Sequence, residues 1–134
     1  MEFKLVRLAW DRFATRDLEP AMAHDPLAGT EVLAAGVMAG SMMLLGVYVE
    51  AERVGSLVLR PEEGDGTREM VLVAAGGRKP GLMLGPLVLP EVERLARDMG
   101  ADTMRFHSAR PAMSALAMRG GYFEAERVYR KVLI

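Results

Sequence analysis

From Glu69 to Met99 the chain reads EMVLVAAGGRKPGLMLGPLVLPEVERLARDM, a stretch that leaves few folds open. Met70, Val71, Leu72, Val73 and Ala74 form a short continuous apolar run, the pattern of a strand buried on both faces. Gly76 and Gly77 break it, and Arg78, Lys79, Pro80 and Gly81 follow as turn residues. Beyond them Val92, Leu95, Ala96 and Met99 recur at helical spacing on one face. A buried strand, a glycine-rich turn and a helix make half of a βαβ-like unit. The first N–H groups of a helix lack intrahelical partners and the dipole there is positive, so such a turn can present donors to an anionic ligand.

The chain around this stretch is one domain of 134 residues, long enough to bury roughly 68% of its unfolded surface. It has no cysteine, which excludes disulfides and thiolate metal sites. Seventeen basic and eighteen acidic residues are scattered along it, leaving a net charge of −1 and no basic stripe to neutralise phosphates, so sequence-specific nucleic-acid binding is not expected. Glu2 and Arg7 interrupt what would be the apolar core of an export signal, and a cytoplasmic rather than secreted protein is expected. Val32 to Val49 carries no charge, at the lower limit for a membrane span, with Gly36 and Gly40 at small-xxx-small spacing. Its flanks are acidic, however, no Lys or Arg anchors either end, and Gly40-Ser41 splits it. A helix followed by a buried strand accounts for it better than a membrane role.

Taken in order, Phe3 to Trp10 suits a first strand, and Asp11 to Ala23 a helix limited by Pro20. His24-Asp25-Pro26 reads as a stop and a new start, with Asp25 as N-cap and Pro26 opening a helix that runs to about Ala39. Met43 to Glu50 and Val54 to Arg60 are strands joined by a turn at Ala51-Glu52-Arg53. Pro61 to Thr67 is a polar turn before a strand from Arg68 to Ala75. Gly100 caps the following helix, and Thr103 to His107 is a short strand. Ser108 and Pro111 open another helix, which Gly120-Gly121 stops. Tyr122 to Ile134 is expected to be a last strand covered on both faces, with Val128, Val132 and Ile134 on one and Phe123, Tyr129 and Leu133 on the other.

The resulting order, β-α-α-β-β-β-α-β-α-β, resembles the GCN5-related N-acetyltransferase (GNAT) superfamily over nearly the whole chain. The matching residues are Leu45-Gly46-Val47-Tyr48-Val49 with Val54-Gly55, then Arg78-Lys79-Pro80-Gly81, then Gly121-Tyr122. The resemblance implies an α/β (α+β) fold with a mixed, mostly antiparallel sheet, a splayed parallel strand pair and about four helices. It also implies acyl-CoA in the opening between the fourth and fifth strands. Leu72, Val73 and Ala74 would line that opening, and Arg78, Lys79 and Gly81 would hold the pyrophosphate.

Several positions depart from the family pattern. Met83 stands where a small residue lets phosphate approach the backbone, and Pro80 and Pro86 supply no N–H. With Pro90 also present, the helix is expected to begin only there, after an apolar lead-in from Leu82 to Leu89. The family's thiolate-protonating tyrosine falls at Ala117, which cannot serve as an acid. Tyr122 and Tyr129 are the candidates nearby, although Tyr122 occupies the family's aromatic core position. Glu50, Glu52 and Glu69 lie near strand ends where a base could act, Glu52 reading first as a solvated turn charge. His24 and His107 lack metal-ligand spacing, and His107, at a strand end facing the cleft, is the better candidate base. Glu69, His107 and Tyr122 are therefore the catalytic candidates, and no metal site is expected. Most of the eleven methionines fall at apolar positions as core filler, whereas Leu82 to Leu89 is the expected surface for a protein partner or self-association.

Two functional readings follow. In one, the chain keeps an acetyltransferase-like fold without the chemistry, requires no cofactor and serves interaction or assembly. Its compact ending, ARPAMSALAMRGGYFEAERVYRKVLI, resembles short family members encoded among tailed-phage virion genes, which would place it in a particle. In the other, it is an acetyl-CoA-dependent N-acetyltransferase acting on an amine.

Overall fold

The computed structural model describes residues 2–23, 28–78, 87–107 and 111–133. Among them five strands form one sheet, in the order β1-β2-β3-β4-β5. These are β1 (Phe3–Leu8), β2 (Met43–Val49), β3 (Glu52–Glu63), β4 (Arg68–Gly77) and β5 (Thr103–Phe106). Four helices accompany them: α1 (Arg12–Met22), α2 (Thr30–Ala39), α3 (Val88–Asp98) and α4 (Pro111–Arg119). The first four strands pair antiparallel, whereas β4 and β5 are parallel. This is the mixed, mostly antiparallel α+β architecture expected from the order of elements.

The sheet is covered on both sides, so its strands read as continuous apolar runs. Met43, Leu45, Val47, Leu57, Leu59, Met70 and Leu72 face α3 and meet its Val88, Val92 and Ala96. Leu44, Val58 and Ala74 face the other way, onto Ala14 and Leu18 of α1 and Leu33 of α2. Asp11 caps α1, its Oδ1 accepting from the Ala14 N–H at 2.9 Å. Gly40 ends α2 in the left-handed conformation with φ of 82°, which frees Ser41 N–H to reach the Gly36 carbonyl at 3.0 Å. The uncharged run from Val32 to Val49 is thus split into helix and strand, and among the described residues no helix is long and apolar enough to cross a membrane.

Several boundaries differ from the sequence expectation. The β2–β3 turn is Glu50-Ala51, both at positive φ, so β3 starts at Glu52 rather than Val54. Helix α2 starts at Thr30 instead of Pro26; Asp25 and Pro26 lie outside the described residues. Helix α3 starts at Val88, with Pro90 in the first turn, where a missing N–H costs nothing. Val88 and Leu89 are therefore buried helix residues and not part of an apolar lead-in.

The largest correction concerns Gly76-Gly77, which do not break the strand: β4 runs through both. A Cβ on Gly76 would stand 2.1 Å from the backbone oxygen of Asp17, and one on Gly77 2.3 Å from that of Val54. Here glycine permits close approach of α1 and β3, not a turn. A second correction concerns Tyr122 to Leu133, which hold no strand and from Phe123 on are not covered: Phe123, Val128, Tyr129, Val132 and Leu133 are all exposed. Alternating apolar residues make a segment fit for a strand, but only a free strand edge can make it one.

Candidate functional site at the β4–β5 fork

Strands β4 and β5 run side by side for four pairs, from Glu69 opposite Thr103 to Leu72 opposite Phe106. There β5 stops while β4 continues to Gly77, and the strands part. A bulge falls at the fork, since Leu59 pairs with Leu72 and Val58 with Ala74, leaving Val73 unmatched. Its effect on side chains is direct. Leu72 packs in the α3 core, Val73 and Ala74 both turn to the α1 side, and Ala75 returns to the α3 side. From Val73 onward the β5-facing edge of β4 has no strand partner among the described residues. Such an edge can pair with an extended, amide-bearing chain.

Leu72, Val73 and Ala74 therefore stand together at the fork. Arg78 lies one residue past β4, where its N–H donates to the Val54 carbonyl at 3.0 Å and its guanidinium pairs with Glu52 at 3.0 Å. Glu52 is thus an exposed charge at the first position of β3, with Arg78 as its partner. Lys79, Gly81 and Met83 lie outside the described residues.

The catalytic candidates are not brought together. Glu69 sits three residues before the fork, roughly 10 Å along the strand at 3.3 Å per residue. Both its oxygens are engaged, Oε1 by Arg105 at 2.6 Å and Oε2 by the Thr103 hydroxyl at 3.0 Å. Arg105 also pairs with Glu62 at 3.0 Å, and Glu62 with Arg60 at 2.9 Å, giving an alternating chain of charges beside the parallel pair. Hydrogen bonding by Arg60, then the charge and hydrogen bond of Arg105, hold the Glu62 carboxyl below its usual range despite some desolvation.

Tyr122 is half-buried against the edge of the Phe106 ring, with centroids 5.3 Å apart, and its hydroxyl donates to Glu93 Oε2 on α3 at 2.6 Å. Burial, reinforced by the Glu93 hydrogen bond and charge, pushes the phenol well above its ordinary pKa. That makes it a weaker acid with its proton already committed. Ala117 is a buried residue of α4 whose carbonyl accepts the Tyr122 N–H at 3.0 Å. His107 is exposed, one residue past Phe106 and so at the mouth of the fork. Glu50 spends one oxygen on the Glu2 N–H at 2.6 Å. Among the described residues no group of three His, Asp or Glu is placed to share a metal ion.

Sequence reasoning missed the residues that set this arrangement. Arg105 and Glu93 engage the candidates from 36 and 29 positions away, and no local pattern reveals such partners. The bulge at Val73 was equally hidden, because an apolar strand with a bulge reads like one without.

No protein-family model and no curated protein sequence matches the chain. Solved structures do match by fold. A possible acetyltransferase from Clostridium difficile 630 superposes with a TM-score of 0.72 at 12% identity, over 98% of each chain. An acetyltransferase of Trypanosoma brucei gives 0.70 at 17% identity, covering 98% of this chain and 100% of its own. The aminoglycoside N-acetyltransferase AAC(6')-Iy, solved in complex with CoA, gives 0.63 at 13% identity, covering 97% of this chain and 95% of its own. The chain therefore has the fold of the GNAT acetyltransferases.

Proposed function

We propose that this chain is an acetyltransferase-fold protein that has given up acyl transfer and works by binding protein, in an assembly role of the kind its resemblance to phage virion members suggests. One observation carries the reading: two of the three catalytic candidates, Glu69 and Tyr122, are held by fixed partners. Glu69 is neutralised by Arg105 and Thr103 away from the fork, Tyr122 is committed to Glu93, and alanine stands at position 117. The exposed apolar side chains past Gly121 favour a partner-binding role. The test is CoA release from acetyl-CoA over a panel of small and peptide amines, read with a thiol reagent. The chain has no cysteine of its own to contribute background. No release above the protein-free rate is expected; sustained turnover on any amine would overturn the reading.

A second reading, an acetyl-CoA-dependent N-acetyltransferase, is favoured by the retained fork. The open β4 edge from Val73 to Gly77 fits the amide-bearing arm of acyl-CoA, and Arg78 is placed to meet its phosphates if it exchanges Glu52 for them. Bound cofactor would supply the activated acyl group. Thermal unfolding separates the two readings, since ligand at about a hundred times its dissociation constant stabilises a fold by about 2.7 kcal/mol. An upward shift with acetyl-CoA sends attention to His107 as the base; no shift leaves the first reading standing.

A further inference from the structure

Helix α4 differs from α1 and α3 in how little it buries. Helix α3 sinks Val88, Leu89, Val92 and Ala96 into the protein, and α1 sinks Ala14, Asp17 and Leu18. Of the described side chains of α4 only Ala117 is buried; Met113 and Leu116 are half-buried, and Ala115, Met118 and Arg119 are exposed. Its exit, by contrast, is closely defined. Gly121, at φ of 90°, turns the chain, and the Tyr122 N–H donates to the Ala117 carbonyl at 3.0 Å. The Tyr122 ring then meets that of Phe106, the last residue of β5, and its hydroxyl donates to Glu93 at 2.6 Å. The chain therefore leaves the sheet at Phe106, runs through α4 and comes back to Phe106. That is the point at which β5 parts from β4, and Glu93 belongs to α3, the helix that follows β4. Tyr122 thus joins the two branches of the fork.

We infer that α4 is a flap on the β5 branch of the fork, clasped shut by the Tyr122 hydroxyl on Glu93, and that it opens as a unit while the sheet and α3 stay folded. Apolar burial is the main force that holds a helix down, and α4 has little of it. A hydrogen bond to a carboxylate is roughly twice as strong as a neutral one, so the clasp supplies a large share of what keeps the flap closed. Segments held by few buried contacts open before the rest of a fold. Release uncovers the Phe106 ring at the fork mouth, and from that side the flap governs what reaches the free edge of β4. The inference goes beyond the assembly reading and does not depend on what the fork binds, so CoA release and flap opening can fail separately.

Amide hydrogen exchange of the full chain, followed residue by residue by NMR, tests it. After correction for intrinsic rates, the amides from Ala115 to Tyr122 should share one protection level, at least about tenfold below that of β2 and β3. Tyr122→Phe keeps a ring against Phe106 and removes the hydroxyl, and it should speed exchange of all these amides together by about tenfold, the loss of one hydrogen bond to a charged group. Glu93→Gln leaves an acceptor without the charge, and its effect should fall between the wild type and Tyr122→Phe. A cooperative thermal transition checks that each variant folds. Protection from Ala115 to Tyr122 equal to that of β2 and β3 overturns the inference, because α4 then opens only with the whole fold. So does a Tyr122→Phe effect that is absent, or that fades along the helix from Tyr122 toward Ala115, since the latter is fraying from an end and not the opening of a flap.

Discussion

The two faces of the sheet are closed by different means. Under α3 the contact is apolar, and among the described residues eleven hydrophobic side chains are buried in it. Under α1 and α2 the buried apolar cluster is smaller, and a chain of polar groups runs beside it. Asp17 of α1 accepts from the Ser56 hydroxyl at 2.7 Å, Ser56 accepts from Arg53 at 2.9 Å, and Arg53 also pairs with Asp11 at the start of α1. Arg53 lies besides over the ring of Phe13, its guanidinium carbon 5.6 Å from the centroid. Apolar burial rewards area without regard to direction, whereas hydrogen bonds reward one geometry. Helix α3 is held firmly, and α1 is held in place.

If that contrast is right, substitutions on the two faces should differ in kind. The largest loss is expected on the apolar side: Leu59→Ala, fully buried, should cost about 3 kcal/mol in urea unfolding. A loss under about 1 kcal/mol would mean that the α3 face repacks freely. Next comes Gly76→Ala, whose new methyl meets the Asp17 backbone and must push α1 off the sheet, at about 1–3 kcal/mol. Asp17→Ala should cost about 2 kcal/mol by stranding the Ser56 hydroxyl, and a cycle with Ser56→Ala should show coupling of about 1 kcal/mol. Strict additivity in that cycle would dissolve the contrast.

The smallest effects are pH-dependent. Burial alone would raise the Asp11 carboxyl, but the Ala14 N–H and the Arg53 pair outweigh it and hold the group below its ordinary pKa. The stability it lends is present above the unfolded carboxylate value and fades as pH falls through the folded one, so Asp11→Asn should flatten the acid side of the stability profile. Tyr122 works with the opposite sign. Its raised pKa lends stability below about pH 10, and this is lost as pH rises toward the folded value. Tyr122→Phe should remove that alkaline loss, which urea midpoints at about pH 9 and about pH 11 will show.

Much of the fold was legible because periodicity is local. The alternation in β1, the apolar runs of β2 to β4 and the 3.6-residue spacing in α3 each lie within a dozen residues. What was misread depended on neighbours distant in sequence. Gly76 looks like a turn until Asp17 is placed against it, and Tyr122 to Leu133 looks like a covered strand although its own chain does not cover it. The site was less legible still. The sequence brought Leu72, Val73 and Ala74 to the fork, yet the partners of Glu69 and Tyr122 come from β5 and α3. A candidate base or acid can be named from residue type, but its availability is decided by what folding sets beside it.

Gly46 carries a consequence for how such a chain can vary. A side chain there would meet Leu8 at 2.8 Å, the Tyr48 ring at 2.9 Å and Arg53 Nε at 3.3 Å. The missing side chain is the trough in which the guanidinium lies. A larger residue at position 46 would press first on Leu8 and the Tyr48 ring and would nudge Arg53 beside its tie to Asp11. Among related sequences positions 8, 46 and 48 are expected to change together.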